Sequence, residues 1–377
     1  RTAPLDGPYF VGLRLSDEAN YTWTQRSAEP VGGLEPFSTW TPGRLVSDRH
    51  GLFVPADIPP GLYTVKAGIY RRSDGRGLDV INPAGAPVGT EAALGTVEVV
   101  LAPEPPAVDR VEIPHRAETL FATSPDEDAH LRLLGYHLPE TTYSPGSQLQ
   151  FVLFWQPLTP IPEDLTVSVR LTGEDQHEIE LGETRPVFGR YPTSRWESGY
   201  TVRDPHRVII PPRTPRGRYQ LRIGLSGADR GRAEAWGESM ATLGTVQVTE
   251  GRTPDFDPPD VPRPLRALLG TEVLLLGHEQ LPREMKPGDT IELTLYWQAV
   301  EPMSVSYTTF VHLLDGDNRI WGQIDTIPGQ GTLPTTGWVP GEYLRDTYRF
   351  QVKPDTPAGR YKIELGMYDA TTGARLP

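Results

Sequence analysis

One pattern limits what this chain can fold into. Pro-x-x-x-Trp-x-(Pro/Ser)-Gly-x-x-x-x-Asp occurs three times without a gap. Its copies are Pro36, Trp40, Gly43 and Asp48, then Pro192, Trp196, Gly199 and Asp204, then Pro334, Trp338, Gly341 and Asp346. They stand 156 and then 142 residues apart. A second block, Pro-x-Gly-x-Tyr-x-x-x-x-Gly, follows at the same offsets with Tyr63, Tyr219 and Tyr361. Two independent blocks held in one register mark a repeated structural unit rather than one large globule.

The unit reads as β. Leu165, Val167, Val169 and Leu171 alternate with Thr166, Ser168 and Arg170. The same period of two runs through Tyr219, Leu221, Ile223 and Leu225, and through Ile291, Leu293, Leu295 and Trp297. Alternation of this kind puts one face of a strand in a core and the other in water. The chain carries 38 Gly and 40 Pro, which break long helices and favour short strands with turns. Asp315-Gly316-Asp317-Asn318 between two runs predicts a hairpin turn. The expected fold is all-β, a tandem of Ig-like or fibronectin III-like antiparallel sandwich modules. The Tyr of the second block sits where sandwiches place a tyrosine corner.

Copies two and three share a lead-in. Leu133-Leu134-Gly135-Tyr136 matches Leu275-Leu276-Gly277-His278, and the run Leu149 to Gln156 matches Ile291 to Gln298. Copies one and two share a closing run, Leu94 to Val99 and Leu243 to Val248. The expected modules are residues 1–106 without a lead-in, 107–250 complete, and 251–377 without the closing strand. The first module is expected to offer an open edge for a neighbouring chain, another copy or a linker. The Pro-rich acidic linkers, 102–113 and 251–264, are expected to be extended, semi-rigid spacers.

The lead-in strand, the Trp loop and the closing Leu-Gly-Thr-Val run together resemble the sandwich repeats in the C-terminal, extracytoplasmic part of bacterial glycosyltransferase 39-like (protein mannosyltransferase-like) multi-pass membrane proteins. The resemblance covers nearly the whole chain. It implies attachment to a membrane enzyme and exposure outside the cytoplasm. It implies no catalysis, because that family's acidic catalytic residues lie among membrane helices.

Trp40, Trp196 and Trp338 are the candidate ligand-binding residues, since an exposed indole stacks on the apolar face of a sugar ring. The competing reading is that each plugs the end of its own sandwich. Trp155 and Trp297 alternate with core residues and are expected inside. Trp23 and Trp321 share a position held by Ile179 in the middle copy, which suits packing. Trp236 is a lone loop candidate. Asp48, Asp204 and Asp346 are expected to accept backbone N–H groups across a turn. Gly43, Gly199, Gly341, Tyr63, Tyr219 and Tyr361 read as structural repeat positions.

His50 and His206 are matched by Tyr348 in the third copy, which argues against a metal ligand. Asp126-Glu127-Asp128 and Asp315-Gly316-Asp317-Asn318 supply oxygens but no complete calcium loop. Gly224-Leu225-Ser226-Gly227 breaks nucleophile-elbow spacing, and no zincin, P-loop or dinucleotide motif occurs. The chain has no Cys, so thiol chemistry is absent. A net charge of −13 without a basic stripe disfavours nucleic acid and anionic membranes. No run reaches 18 apolar residues, so no direct membrane insertion is expected. The expectation is a non-enzymatic spacer or scaffold array without cofactors, with glycan or cell-surface protein as partner; the alternatives are a carbohydrate-binding module using the loop Trp residues and a cell-surface protein–protein interaction array.

Overall fold

The computed structural model describes residues 7–41, 43–83, 88–122, 129–227 and 240–377. Among these the chain is all-β, with twenty strands in five sheets and no α-helix. Short 3-10 turns join some of the strands.

The first sheet holds β1 (Tyr9–Ser16), β2 (Thr22–Ala28), β3 (Gly61–Arg71) and β4 (Ala92–Val99), in the order β2-β1-β3-β4. The second repeat builds two sheets. One contains β5 (His115–Phe121), β6 (Leu131–His137), β8 (Gln148–Pro157) and β11 (Val202–Ile209), ordered β11-β8-β6-β5. The other contains β7 (Thr142–Tyr143), β9 (Leu165–Gly173), β10 (Glu178–Thr184), β12 (Gly217–Gly227) and β13 (Ala241–Val248), ordered β10-β9-β12-β13-β7. The third repeat orders β14 (Arg263–Leu269), β15 (Val273–His278), β16 (Thr290–Ala299) and β19 (Tyr343–Gln351) as β14-β15-β16-β19. Its second sheet sets β17 (Thr308–Leu314) between β18 (Ile320–Thr326) and β20 (Lys362–Tyr368). All pairings are antiparallel except β13 with β7.

The alternation seen in the sequence sorts these faces. Leu133, Phe151, Leu153 and Trp155 from one sheet of the second repeat meet Val167, Val169, Leu171, Leu221 and Val246 from the other. In the third repeat Leu275, Leu293, Leu295 and Trp297 meet Val311, Leu313 and Met367. Each wholly buried aliphatic or aromatic side chain contributes about 1.5–3 kcal/mol, so these two cores carry the stability of their units. Trp155 and Trp297 are both fully buried.

Gly135 and Gly277 show why the lead-in carries a glycine. A Cβ on Gly135 would collide with the His115 carbonyl of β5, and one on Gly277 with the Arg263 carbonyl of β14. At both places the ladder between the lead-in strand and its inner neighbour also slips by a residue.

The first repeat differs from the other two. Among the described residues it has one sheet, and residues 44–55, which span the counterpart of β11, form no strand. β11 gains its ladder from β8, and no counterpart of β8 pairs here. No linker pairs with this segment among the described residues. Instead one end of the first sheet joins its neighbour, where Leu15, Trp23, Ile58 and Tyr63 extend the core of the second repeat.

The linkers are not free spacers. Val111 and Ile113 are buried against Leu134 and Phe154 on the outer side of the second repeat. Tyr343 N–H donates to the Asp255 carbonyl at 2.7 Å, binding the second linker to β19. Apolar packing thus splices the first linker, and a backbone hydrogen bond the second, onto the unit that follows it.

Candidate functional site

The three Trp loops share one local design. Pro36, Pro192 and Pro334 lead into single 3-10 turns at Phe37–Thr39, Thr193–Arg195 and Thr335–Gly337. Proline presets the φ needed before such a turn. The indole then folds back, and its Nε1–H donates to a carbonyl five residues earlier. Trp40 reaches Glu35 at 2.9 Å, Trp196 reaches Tyr191 at 2.9 Å, and Trp338 reaches Leu333 at 3.1 Å. Gly43, Gly199 and Gly341 follow with φ of 80°, 86° and 87°, a left-handed bend that glycine adopts without strain. Trp196 and Trp338 are buried in their cores, so neither offers a ring face to a sugar. Trp40 is half-buried and tilts against Phe37 at 4.7 Å. Trp236 and Asp126-Glu127-Asp128 lie outside the described residues.

The aspartates turn inward. Asp204 Oδ1 accepts the Val187 N–H at 2.7 Å, and its Oδ2 accepts the Trp155 indole N–H at 2.9 Å. The same Oδ2 lies 2.6 Å from His206 Nε2. The His206 ring stacks on Phe151 at 5.0 Å, and its Nδ1 lies 2.7 Å from Thr184 Oγ1. Asp48 repeats two of these bonds, to Val31 N–H at 2.8 Å and to His50 Nε2 at 2.6 Å.

Val31 and Val187 have φ of 52° and 51°, a region costly for β-branched residues. The carboxylate that accepts their N–H groups holds them there. In the third repeat the corresponding residue is Gly329, which takes φ of 64° freely, and no hydrogen bond joins it to Asp346. Asp346 instead lies beside Tyr348. Burial first, and then the Asp346 charge, push the Tyr348 hydroxyl well above the ordinary tyrosine range.

The repeated tyrosines close their corners. Tyr63, Tyr219 and Tyr361 hydroxyls donate to the carbonyls of Pro59, Pro215 and Pro357 at 2.6, 2.8 and 2.6 Å. The hairpin aspartate Asp315 accepts Asp317 N–H, Arg319 N–H and the Trp321 indole, at 2.9, 2.9 and 2.7 Å. Those donors hold its carboxyl below the usual range, the Trp321 bond most. Asp17 takes the Trp23 indole the same way at 2.8 Å. The sequence carried a signal for this pair. The middle copy has Gly173 in place of the Asp and Ile179 in place of the Trp, so acceptor and donor disappear together.

What the sequence did not reveal is how the repeats meet. Arg203 Nε and Nη2 grip both oxygens of buried Asp57 at 2.8 Å each, and Nη1 donates to the Trp23 carbonyl at 3.1 Å. Arg190 pairs with Asp17 at 2.7 Å, and Tyr21 packs on Phe188 at 5.6 Å. Between the second and third repeats, Thr336 donates to the Gly146 carbonyl at 2.6 Å, and beside this contact the linker residue Arg252 pairs with buried Glu342 of its own unit. A cleft of about 500 Å³ opens beside that junction, lined by Pro145, Arg213, Arg216, Arg252 and Phe256. Arg252 is held by Glu342, and Arg216 faces Glu250 at 3.8 Å. Each of these pairs joins residues far apart in sequence, so no local pattern announces it.

Among the described residues no three His, Asp or Glu side chains gather to hold a metal. No helix among them is long and apolar enough to cross a membrane.

No family model matches the chain, and no curated protein matches it. Solved structures that it resembles include the C-terminal domain of Wzt, at 14% identity, over 37% of this chain and 81% of that one, with a TM-score of 0.25.

Proposed function

We propose that the chain is a non-catalytic scaffold, an array of three Ig-like or fibronectin III-like modules spanning 1–106, 107–250 and 251–377, the first a single sheet and the other two sandwiches. It works outside the cytoplasm as a spacer appended to a membrane-anchored glycosyltransferase-like protein, and it holds a glycan or protein partner at a set position. The observation that carries this reading is the buried ion pairing between repeats, Arg203 with Asp57 and Arg190 with Asp17. A spacer is useful when its units keep one geometry, and the two-point grip of Arg203 on Asp57 resists hinge motion. The inward turn of Asp48, Asp204, Trp196 and Trp338 supports the absence of catalysis at the repeated positions. The extracytoplasmic and membrane-attached parts of the reading rest on the family resemblance alone.

One feature favours a second reading, carbohydrate binding. The cleft at the second junction combines exposed Phe256, proline walls and Arg213. An aromatic face beside a cation suits an acidic sugar. A glycan array decides between the two. The scaffold reading expects no specific binding by the intact chain. Specific binding that is lost in a still-folded Phe256→Ala, Arg213→Ala variant overturns it in favour of the second.

A further inference from the structure

The first sheet and the strandless segment 44–55 present to water apolar side chains whose counterparts in the second repeat are buried. Leu94 is 62% exposed where its counterpart Leu243 is 2%; Val97 is 40% where Val246 is 0%; Val54 is 45% where Ile210 is 0%. Phe53 and Leu45 are also exposed. Apolar side chains exposed where the repeat buries their counterparts mark a surface that something covers.

The other two units carry a cover over the same face. In the second and third repeats the same face is closed by the lead-in sheet, β6 with β8 and β15 with β16. The contact is established twice, with the same glycine, the same apolar alternation and the same tryptophan. We propose that the open face of the first unit seats a third lead-in sheet, a β segment with the Leu-x-Phe-x-Leu-x-Trp character of β8 and a tryptophan at the position of Trp155.

Asp48 carries the argument to a single atom. In the second repeat Asp204 Oδ2 accepts both His206 and the Trp155 indole. In the first, Asp48 Oδ2 has His50 at 2.6 Å and no indole. Asp48 Oδ1 already grips Val31 as Asp204 Oδ1 grips Val187. The receiving half of the site is therefore assembled, and the indole N–H is the missing donor. Val46, Asp48, His50 and Leu52 alternate as Val202, Asp204, His206 and Val208 do in β11, and Val54 matches Ile210 just beyond it. Residues 46–54 are thus patterned as a strand and lack only the neighbour whose ladder would make them one. A second copy cannot supply that neighbour without opening a unit of its own, because its β8 and β16 are buried in their own cores. The inference does not rest on the scaffold reading.

The test fuses residues 107–156 of this chain ahead of residue 1, giving the full chain a lead-in for its first unit. Amide hydrogen exchange is compared in fused and unfused protein, with the third repeat as an internal control of folding. The proposal expects exchange at residues 46–54 to slow at least tenfold. It expects fluorescence of an apolar dye to fall, and it expects Trp→Ala at the fused copy of Trp155 to reverse both effects. Unchanged exchange at 46–54 in a fused chain whose third repeat is protected overturns the proposal. So does an unfused chain that sediments as a dimer with 46–54 already protected, which would assign the face to a second copy.

Discussion

Asp204 shows how much one side chain does in this protein. Its two oxygens hold a strained Val187, the buried Trp155 indole and His206. Asp204→Ala leaves an indole and a backbone N–H without acceptors in a dry core, and it releases a valine held at positive φ. Each buried orphan costs about 1–3 kcal/mol, so the variant is expected to lose ~3 kcal/mol or more in denaturant unfolding. Asp48→Ala is expected to lose less, since Asp48 holds no indole. Equal losses in the two variants would contradict the assigned roles.

The buried tyrosines set the alkaline limit. Burial pushes Tyr143 and Tyr191 up to about 12, aided by Glu140 and Glu197 respectively. A hydroxyl with a raised folded pKa contributes stability that is whole below the unfolded value near 10 and is lost as pH rises toward 12. Thermal midpoints are therefore expected to hold up to pH 9 and to fall between pH 10 and 12. Tyrosinate absorbance at 295 nm should lag behind that of free tyrosine. A protein that titrates fully at pH 10 while still folded would refute the burial argument.

At the scale of elements, the lead-in pair depends on close backbone approach. Gly135→Ala drives a Cβ into the His115 carbonyl, which no rotamer can relieve. β5 must leave β6 or the ladder must shift, and exchange protection is expected to drop in β5 while β12 keeps its own. Unchanged protection in β5 would show that the bulge has slack. The absent strand at residues 46–54 makes the converse point. The same pattern that forms β11 beside β8 stays irregular without a partner, because a strand's backbone groups are satisfied by a neighbour and not by itself.

At the scale of the whole molecule, the two junctions are built differently. The first is ionic, with Arg203 and Arg190 closing on Asp57 and Asp17. The second is a close approach of Gly146 to Gly337, with Thr336 bonded across it. Arg203→Ala strands the buried Asp57 carboxylate, a loss of about 3–5 kcal/mol when a buried pair is broken. Solution scattering of that variant is expected to broaden toward a jointed chain, with the third repeat still docked on the second. An unchanged profile would mean that packing of Tyr21 on Phe188 is enough to hold the first junction.

The recurrence of Pro, Trp, Gly, Asp and Tyr at fixed offsets was enough to read an all-β chain of repeated units, and alternation picked out the inner faces. These features are local, set by turn geometry and by the period of a strand, and they survive in any copy. The fate of the side chains was not local. Trp196 and Trp338 look like Trp40 in sequence, yet burial depends on whether a facing sheet is present. Asp57 and Arg203 stand 146 residues apart, and only the packing of one unit on the next brings them within 2.8 Å. The sequence by itself determined the unit and its core pattern, because both follow from short-range backbone chemistry. Only the tertiary structure decided which faces close, which stay open and how the repeats dock, because those outcomes depend on contacts between distant segments.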